Sequence, residues 1–209
     1  MANADIWSVI HSERAALAAD LGAVPDERWA TPSLCPGWSV QRMLGHMIAT
    51  ARMTPPKFLG HMIASGFNFN AMTAKDSAKA SAGTPQATVA EFAAHAGDTT
   101  SPPGPVQSWL GETVVHGTDI RWPLGIEHTF PADALITVAD FYKGSNLLIG
   151  SKNRIAGLTL TATDAEWSTG AGPQVSGPMH ALVMAMTGRA AALDRLAGPG
   201  VDTLRGRTA

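Results

Sequence analysis

Apolar residues recur every three to four positions through roughly the first three fifths of the chain, then give way to alternation near Gly150. Between Asp5 and Leu21, the residues Ile6, Ile10, Leu17 and Leu21 follow a helical period, and Pro25 ends the stretch. Thr31 to Val40 (TPSLCPGWSV) holds two prolines and a glycine and reads as a fixed irregular loop. Ser39 can cap a helix carrying Arg42, Met43, His46, Met47 and Ile48. Pro55 and Pro56 open another, with Phe58, Leu59, Met62 and Ile63 expected on its buried face. Lys75 to Ser81 carries a weaker helical signal, and Thr84-Pro85 starts a helix through Val89, Phe92 and Ala93. After the rigid SPPGP segment (Ser101 to Pro105), Trp109 to Ile120 predicts an apolar helix closed by Pro123 and Gly125. Pro131 opens a further helix through Leu135, Val138, Phe141 and Tyr142.

Beyond Gly150 the pattern becomes that of a half-buried strand at Gly157 to Thr163 (GLTLTAT). Glu166 to Thr169 and Gln174 to Ser176 are its expected partners, and Met179 to Leu196 reads as one helix stopped by Gly198-Pro199-Gly200. The expected organisation is mainly α: a helical body over 1–148, a small α/β unit over 149–202, and a frayed tail over 203–209. No internal repeat marks a solenoid.

Composition narrows the function classes. The 209 residues are 45% hydrophobic and 15% charged, enough apolar material for a sizeable core and too little charge for disorder. A net charge of −2 without runs of one sign argues against a nucleic-acid groove or a membrane-surface helix. No stretch approaches the roughly 18 apolar residues of a membrane span. The acid-containing start, with no continuous apolar core, is not that of a signal peptide. The expectation is a cytoplasmic protein with neither nucleic-acid nor membrane partners. A single cysteine excludes both a disulfide framework and a multi-cysteine zinc site.

Two Glu-x-x-x-His pairs, Glu91/His95 and Glu112/His116, are spaced so that a carboxylate and an imidazole share one helix face, Cβ atoms about 5–6 Å apart. Glu91/His95 ends an Ala-rich helix, where a salt-bridged or end-capping histidine is the simpler reading. Glu112/His116 lies among Trp109, Leu110, Val114, Val115 and Ile120, where polar groups facing a bundle interior must be paired or metal-bound. On periodicity alone this pair is either a structural ion pair or two metal ligands. His46, set among Met43, Leu44 and Met47, is the natural third ligand if its helix packs beside them. His11, His61, His128 and His180 have no partner at a useful spacing. Cys35 has no adjacent base and reads as a small hydrophobe. Trp38 and Trp109 read as core or pocket walls, and the nine methionines as adaptable packing or an apolar substrate wall.

These segments carry a resemblance. WATPSLCPGWSVQRMLGHM (Trp29 to Met47), GETVVHGTDIRWPLGI (Gly111 to Ile126) and LVMAMTGRAAALDRLAG (Leu182 to Gly198) together resemble the mycothiol-dependent maleylpyruvate isomerase family of actinobacteria. That family belongs to the DinB/YfiT-like superfamily of metal-binding helix bundles. The resemblance implies a DinB/YfiT-like four-helix bundle followed by a small C-terminal α/β unit. It implies a divalent metal, usually zinc, on His46, Glu112 and His116, and leaves out Glu91/His95. It matches the substrate-contacting arginine of the family to Arg189. Asp119, one turn after His116, then reads either as a partner that orients an imidazole or as a charge serving Arg121 or the helix end.

The chemistry so implied uses mycothiol, a small-molecule thiol, on a small electrophilic substrate. A free thiol ionises near pH 8.5, and a cation held by one carboxylate and two neutral imidazoles keeps a net charge of about +1 that favours thiolate. The thiolate adds to an activated double bond, rotation follows, and the thiol leaves; transfer of the thiol to an electrophile is the related outcome. Metal-bound water, with a pKa of about 7, is the hydrolytic variant. A non-catalytic metal- and ligand-binding stress-response bundle is the alternative from another class.

Overall fold

Side-chain oxygens cap the helices where the sequence offers them. In the computed structural model, which describes residues 1–147 and 149–208, Ser39 Oγ accepts from the Arg42 amide at 3.2 Å and starts α2 (Val40–Ala51). Thr54 caps α3 (Pro55–Ala64), Asn68 caps α4 (Phe69–Ala80) and Thr84 caps α5 (Pro85–Ala94) in the same way. Before them lies α1 (Asn3–Gly22), and after them α6 (Val106–Leu124), which runs about a turn past the expected Ile120 and takes Pro123 into its last turn. The weak signal at Lys75 to Ser81 thus belongs to a regular helix, α4.

Backbone contacts divide the chain at His128/Thr129 into two compact units. In the first, α1, α2, α5 and α6 pack as a four-helix bundle: α1 lies against α5 and α6, and α2 against the same two. Leu17, Leu21, Met43, Leu44, Met47, Ile48, Phe92 and Ile120 form its interior, all at most 1% exposed. α4 lies on the outside of α2, and α3 leans on α4. The expected burial of Leu59 and Ile63 on α3 is corrected: each is 57% exposed, and α3 buries no residue. The apolar period is present, but the main packing partner of α3 is α4, and none of its residues is buried.

The α2–α4 contact depends on Gly45, directly before His46. A Cβ at Gly45 would stand 2.6 Å from the Ser77 carbonyl oxygen and 2.8 Å from the Ser81 Cβ. Backbone cannot retreat as a flexible side chain can, so we expect Gly45→Ala to cost about 1–3 kcal/mol through overpacking. Thermal denaturation checks this, and an unchanged Tm contradicts the close approach.

The second unit starts at Thr129, one helix earlier than the expected division, because α7 (Ala132–Gly144) packs against α9 (Met179–Met186) through a face that includes Leu135, Val138, Ala139 and Tyr142. Leu148, at the expected boundary, and Ala209, at the end of the expected tail, lie outside the described residues. A short helix α8 (Ser151–Arg154) precedes the three expected strands, β1 (Thr159–Ala162), β2 (Ser168–Gly170) and β3 (Gln174–Gly177). Their order is β2-β1-β3, with β1 antiparallel to β2 and parallel to β3 and Leu160 paired with Val175. The single helix expected over Met179 to Leu196 is broken. Gly188 adopts φ 89°, and Ala190–Arg195 continues as a 3-10 turn. The expected frayed tail is also ordered through Arg207. Val201–Arg205 forms α10 with Leu204 buried, and Arg207 Nη1 donates to the Arg154 and Ala156 carbonyls at 2.8 and 2.7 Å. Among the described residues, no helix is long and apolar enough to cross a membrane.

Candidate functional site

The loop before α2 is tied to α6, and this places the two helices that carry the candidate ligands. Ser33 Oγ donates to the Trp38 carbonyl at 2.9 Å, and the Leu34 amide donates to the Asp119 carbonyl at 3.1 Å. Bridging of Pro32 and Ser39 closes the turn. Cys35 is a half-buried member of this loop packed against the bundle core.

His46 of α2 and His116 of α6 meet edge to face, with ring centroids 4.9 Å apart and planes at 87°. Trp38 also meets the His46 ring, at 5.6 Å between centroids, and the Arg42 guanidinium lies over the Trp38 indole ring at 5.2 Å. Burial first, and then the neighbouring His116, hold His46 at a pKa of about 3, so its imidazole is neutral at physiological pH. His116 Nδ1 lies 2.8 Å from Asp119 Oδ2, and Asp119 is wholly buried. In the tautomer that donates from Nδ1 to Asp119, Nε2 is the ring nitrogen left for another partner. Asp119 thus has the contact that orienting an imidazole requires, and Arg121 pairs through Nε with Asp20 at 2.7 Å.

Glu112, one turn before His116, is 8% exposed, and neither carboxylate oxygen has a hydrogen-bond partner among the described residues. The nearby Thr113 hydroxyl donates instead to the Trp109 carbonyl at 2.9 Å. Burial raises the Glu112 pKa. The Arg14 charge opposes this most, followed by His116 and weaker pulls from the Thr50 and Thr113 hydroxyls. An unpartnered buried carboxylate is costly unless a cation or donor completes it.

The structure therefore brings His46 and His116 together between α2 and α6, with Glu112 one turn before His116 on the same helix and acting on it through charge. Among the described residues, no three His, Cys, Asp or Glu side chains stand in a ready-made ion cage. The donor set nonetheless fits a divalent cation: a carboxylate with both oxygens unmet, a neutral imidazole, and a second imidazole whose far nitrogen is oriented by a buried aspartate.

The second Glu-x-x-x-His pair goes elsewhere. Glu91 pairs with Arg52, and His95 pairs with Asp98 at 2.7 Å. His61 and His128 have partners that spacing along the chain did not reveal, Asp76 at 2.7 Å and Glu13 at 2.6 Å. Arg189, in the second unit, follows Gly188 and donates through Nη1 to the Thr187 carbonyl at 3.1 Å.

Arg14 was missed by motif reading. It lies on α1 at 1% exposure, with Nη1 donating to the Asp98 carbonyl at 3.3 Å. A signal was present, because Arg14 falls on the same helical stripe as Ile10, Leu17 and Leu21.

Fold and site together define a helix-bundle protein with a buried carboxylate–imidazole donor set. Residues 10–121 match the sequence model of the mycothiol maleylpyruvate isomerase N-terminal domain, and the chain belongs to that family. Two solved structures share its fold. One is described as the mycothiol-dependent maleylpyruvate isomerase (TM-score 0.65, 16% identity). The other is a mutant of that isomerase with a histidine replaced by alanine (TM-score 0.67, 15% identity). Each comparison covers 95% of this chain and 93% of the other. No curated protein matches the chain in sequence.

Proposed function

We propose that this protein is a metal-dependent enzyme that uses mycothiol for isomerisation or thiol transfer on a small electrophilic substrate, with the metal on His46, Glu112 and His116. The observation that carries the reading is the buried Glu112 carboxylate, without a hydrogen-bond partner among the described residues, one turn before a His116 whose ring meets that of His46. Family membership and the names of the two structural neighbours support the choice of thiol and reaction.

When bound, a divalent cation, zinc by the chemistry of the donors, would favour ionisation of a thiol near neutral pH. The remaining work falls to the chain. Glu112 supplies the one negative charge of the set, and the low pKa of His46 keeps its lone pair free of a proton. Asp119 holds the His116 ring in one orientation and tautomer. Trp38 packs against the His46 ring. Arg189 is assigned to a substrate carboxylate, for which a guanidinium fork is suited. In the isomerase reaction the thiolate sulfur bonds to one alkene carbon, and the π electrons move into the conjugated carbonyl. Rotation about the resulting single bond and departure of the same sulfur restore the alkene and the thiol.

The test is turnover by the purified 209-residue chain, followed by absorbance. We expect maleylpyruvate to be consumed only when both zinc and mycothiol are present. Activity with zinc but no thiol would make the protein a hydrolase. Metal binding without consumption of maleylpyruvate or a test electrophile would make it a non-catalytic binding bundle.

A further inference from the structure

We propose that Arg14 is a positioning residue of the metal centre, raising its positive charge at the expense of metal affinity so that an anionic thiolate is held more strongly. The inference rests on the metal reading of His46, Glu112 and His116. Arg14 lies in the bundle at 1% exposure, and only Nη1 is anchored, on the Asp98 carbonyl. Nε and Nη2, the edge that matches a carboxylate in bidentate pairs, have no partner among the described residues. Glu112, also buried, has both oxygens unmet. The two charges act on one another, since Glu112 is the largest attractive influence on Arg14 and Arg14 the largest on Glu112. They nevertheless do not join in an ion pair. A bidentate pair would satisfy both groups and withdraw Glu112 from a metal; here Glu112 keeps its oxygens while remaining within the arginine's field.

The charge balance shows what this arrangement does. A dication with one carboxylate and two neutral imidazoles carries about +1; the Asp119 carboxylate on His116 lowers the local total, and a fixed guanidinium in the same low-dielectric interior raises it again by about one charge. Arginine does not lose its proton in proteins, so the extra charge is permanent. It repels the metal and attracts whatever anion enters beside it. Because the fork edge has no partner, the charge is the active property, and a lysine at this position would supply it as well.

Cobalt(II) titrations of the purified chain at pH 8.5, with a competing chelator, give metal affinity from the visible absorption. N-acetylcysteine added to the cobalt-loaded protein gives thiol affinity from the change in that spectrum. We expect Arg14→Met to bind cobalt at least tenfold more tightly and the thiol at least tenfold more weakly. Arg14→Lys should stay within about threefold of the unsubstituted protein in both. Arg14→Gln should shift both constants as the Met variant does, and it keeps the test available if Met does not fold. Opposed shifts are the signature, because damage to the bundle weakens both. Weakening of both in the Met and Gln variants, or no change in either constant, overturns the role of Arg14. Absence of cobalt binding by the unsubstituted protein instead removes the metal reading itself, and the role of Arg14 with it.

Discussion

Glu112→Gln is expected to fold, to gain stability as the metal-free protein, and to lose metal binding. Even partners that only orient a metal ligand cost about 10–100-fold in affinity when removed, so loss of the single anionic ligand should exceed about 100-fold. Equilibrium dialysis against zinc reads this directly. The stability change has the opposite sign, because the substitution removes a buried charge whose oxygens meet no donor. A buried group so left costs about 1–3 kcal/mol, more when charged. The pH dependence has a definite sign. Burial raises the Glu112 pKa above its unfolded value, so its contribution to folding is complete below that value and is lost as pH rises through the folded pKa. Metal-free Glu112→Gln should lack this loss. Urea titrations across pH, with zinc chelated, would show it. Equal or lower stability of the variant at neutral pH would mean that the Glu112 charge gives the folded state more, through the buried Arg14 guanidinium, than its unmet oxygens cost.

His46 acts in the other direction. Its pKa falls from 6.5 to about 3 on folding, so the folded state resists protonation. Stability from this group is therefore complete above about pH 6.5 and declines as pH drops toward 3. A shift of this size corresponds to about 5 kcal/mol at most, at about 1.4 kcal/mol per pH unit. The realised loss is smaller, because part of His46 remains open to solvent and can be charged in place. His46→Gln in the chelated protein should flatten the acid limb of the stability profile between pH 6.5 and 3. An unaltered acid limb would place the proton uptake on other groups. Glu112 and His46 thus destabilise the empty bundle at opposite ends of the pH scale, as expected of groups held ready for a cation rather than for one another.

The placement of the candidate residues on their helices was legible because those residues obey local rules. Four-residue spacing put Glu112 and His116 on one face of α6, and Ser39 marked the start of α2 and so the phase of His46. Phase does not reveal who the neighbour is. Glu91 and His95 share the spacing of Glu112 and His116, yet each is drawn to a different partner, Arg52 and Asp98. Arg14 sat visibly out of place in an apolar stripe, but its relation to Glu112 exists only through the packing of α1 on α6.

The same division runs through the fold. Composition and periodicity by themselves determined that the chain makes a mostly helical body, three short strands and a helix after them, because caps, prolines and apolar spacing act over a few residues. Packing decided the rest. α3 has an apolar face as good as that of its neighbours and still exposes Leu59 and Ile63, since it packs mainly on α4 rather than into the bundle. The helix from Met179 stops at Met186 because Gly188 turns the chain against the Arg154 guanidinium, and Arg207 is held by carbonyls some fifty residues earlier. Such contacts depend on where distant segments come to rest, which no local pattern encodes. The proximity of His46 to His116 is of this kind: each imidazole was placed on its helix by its own neighbours, and only the approach of α2 to α6 brought the two rings together.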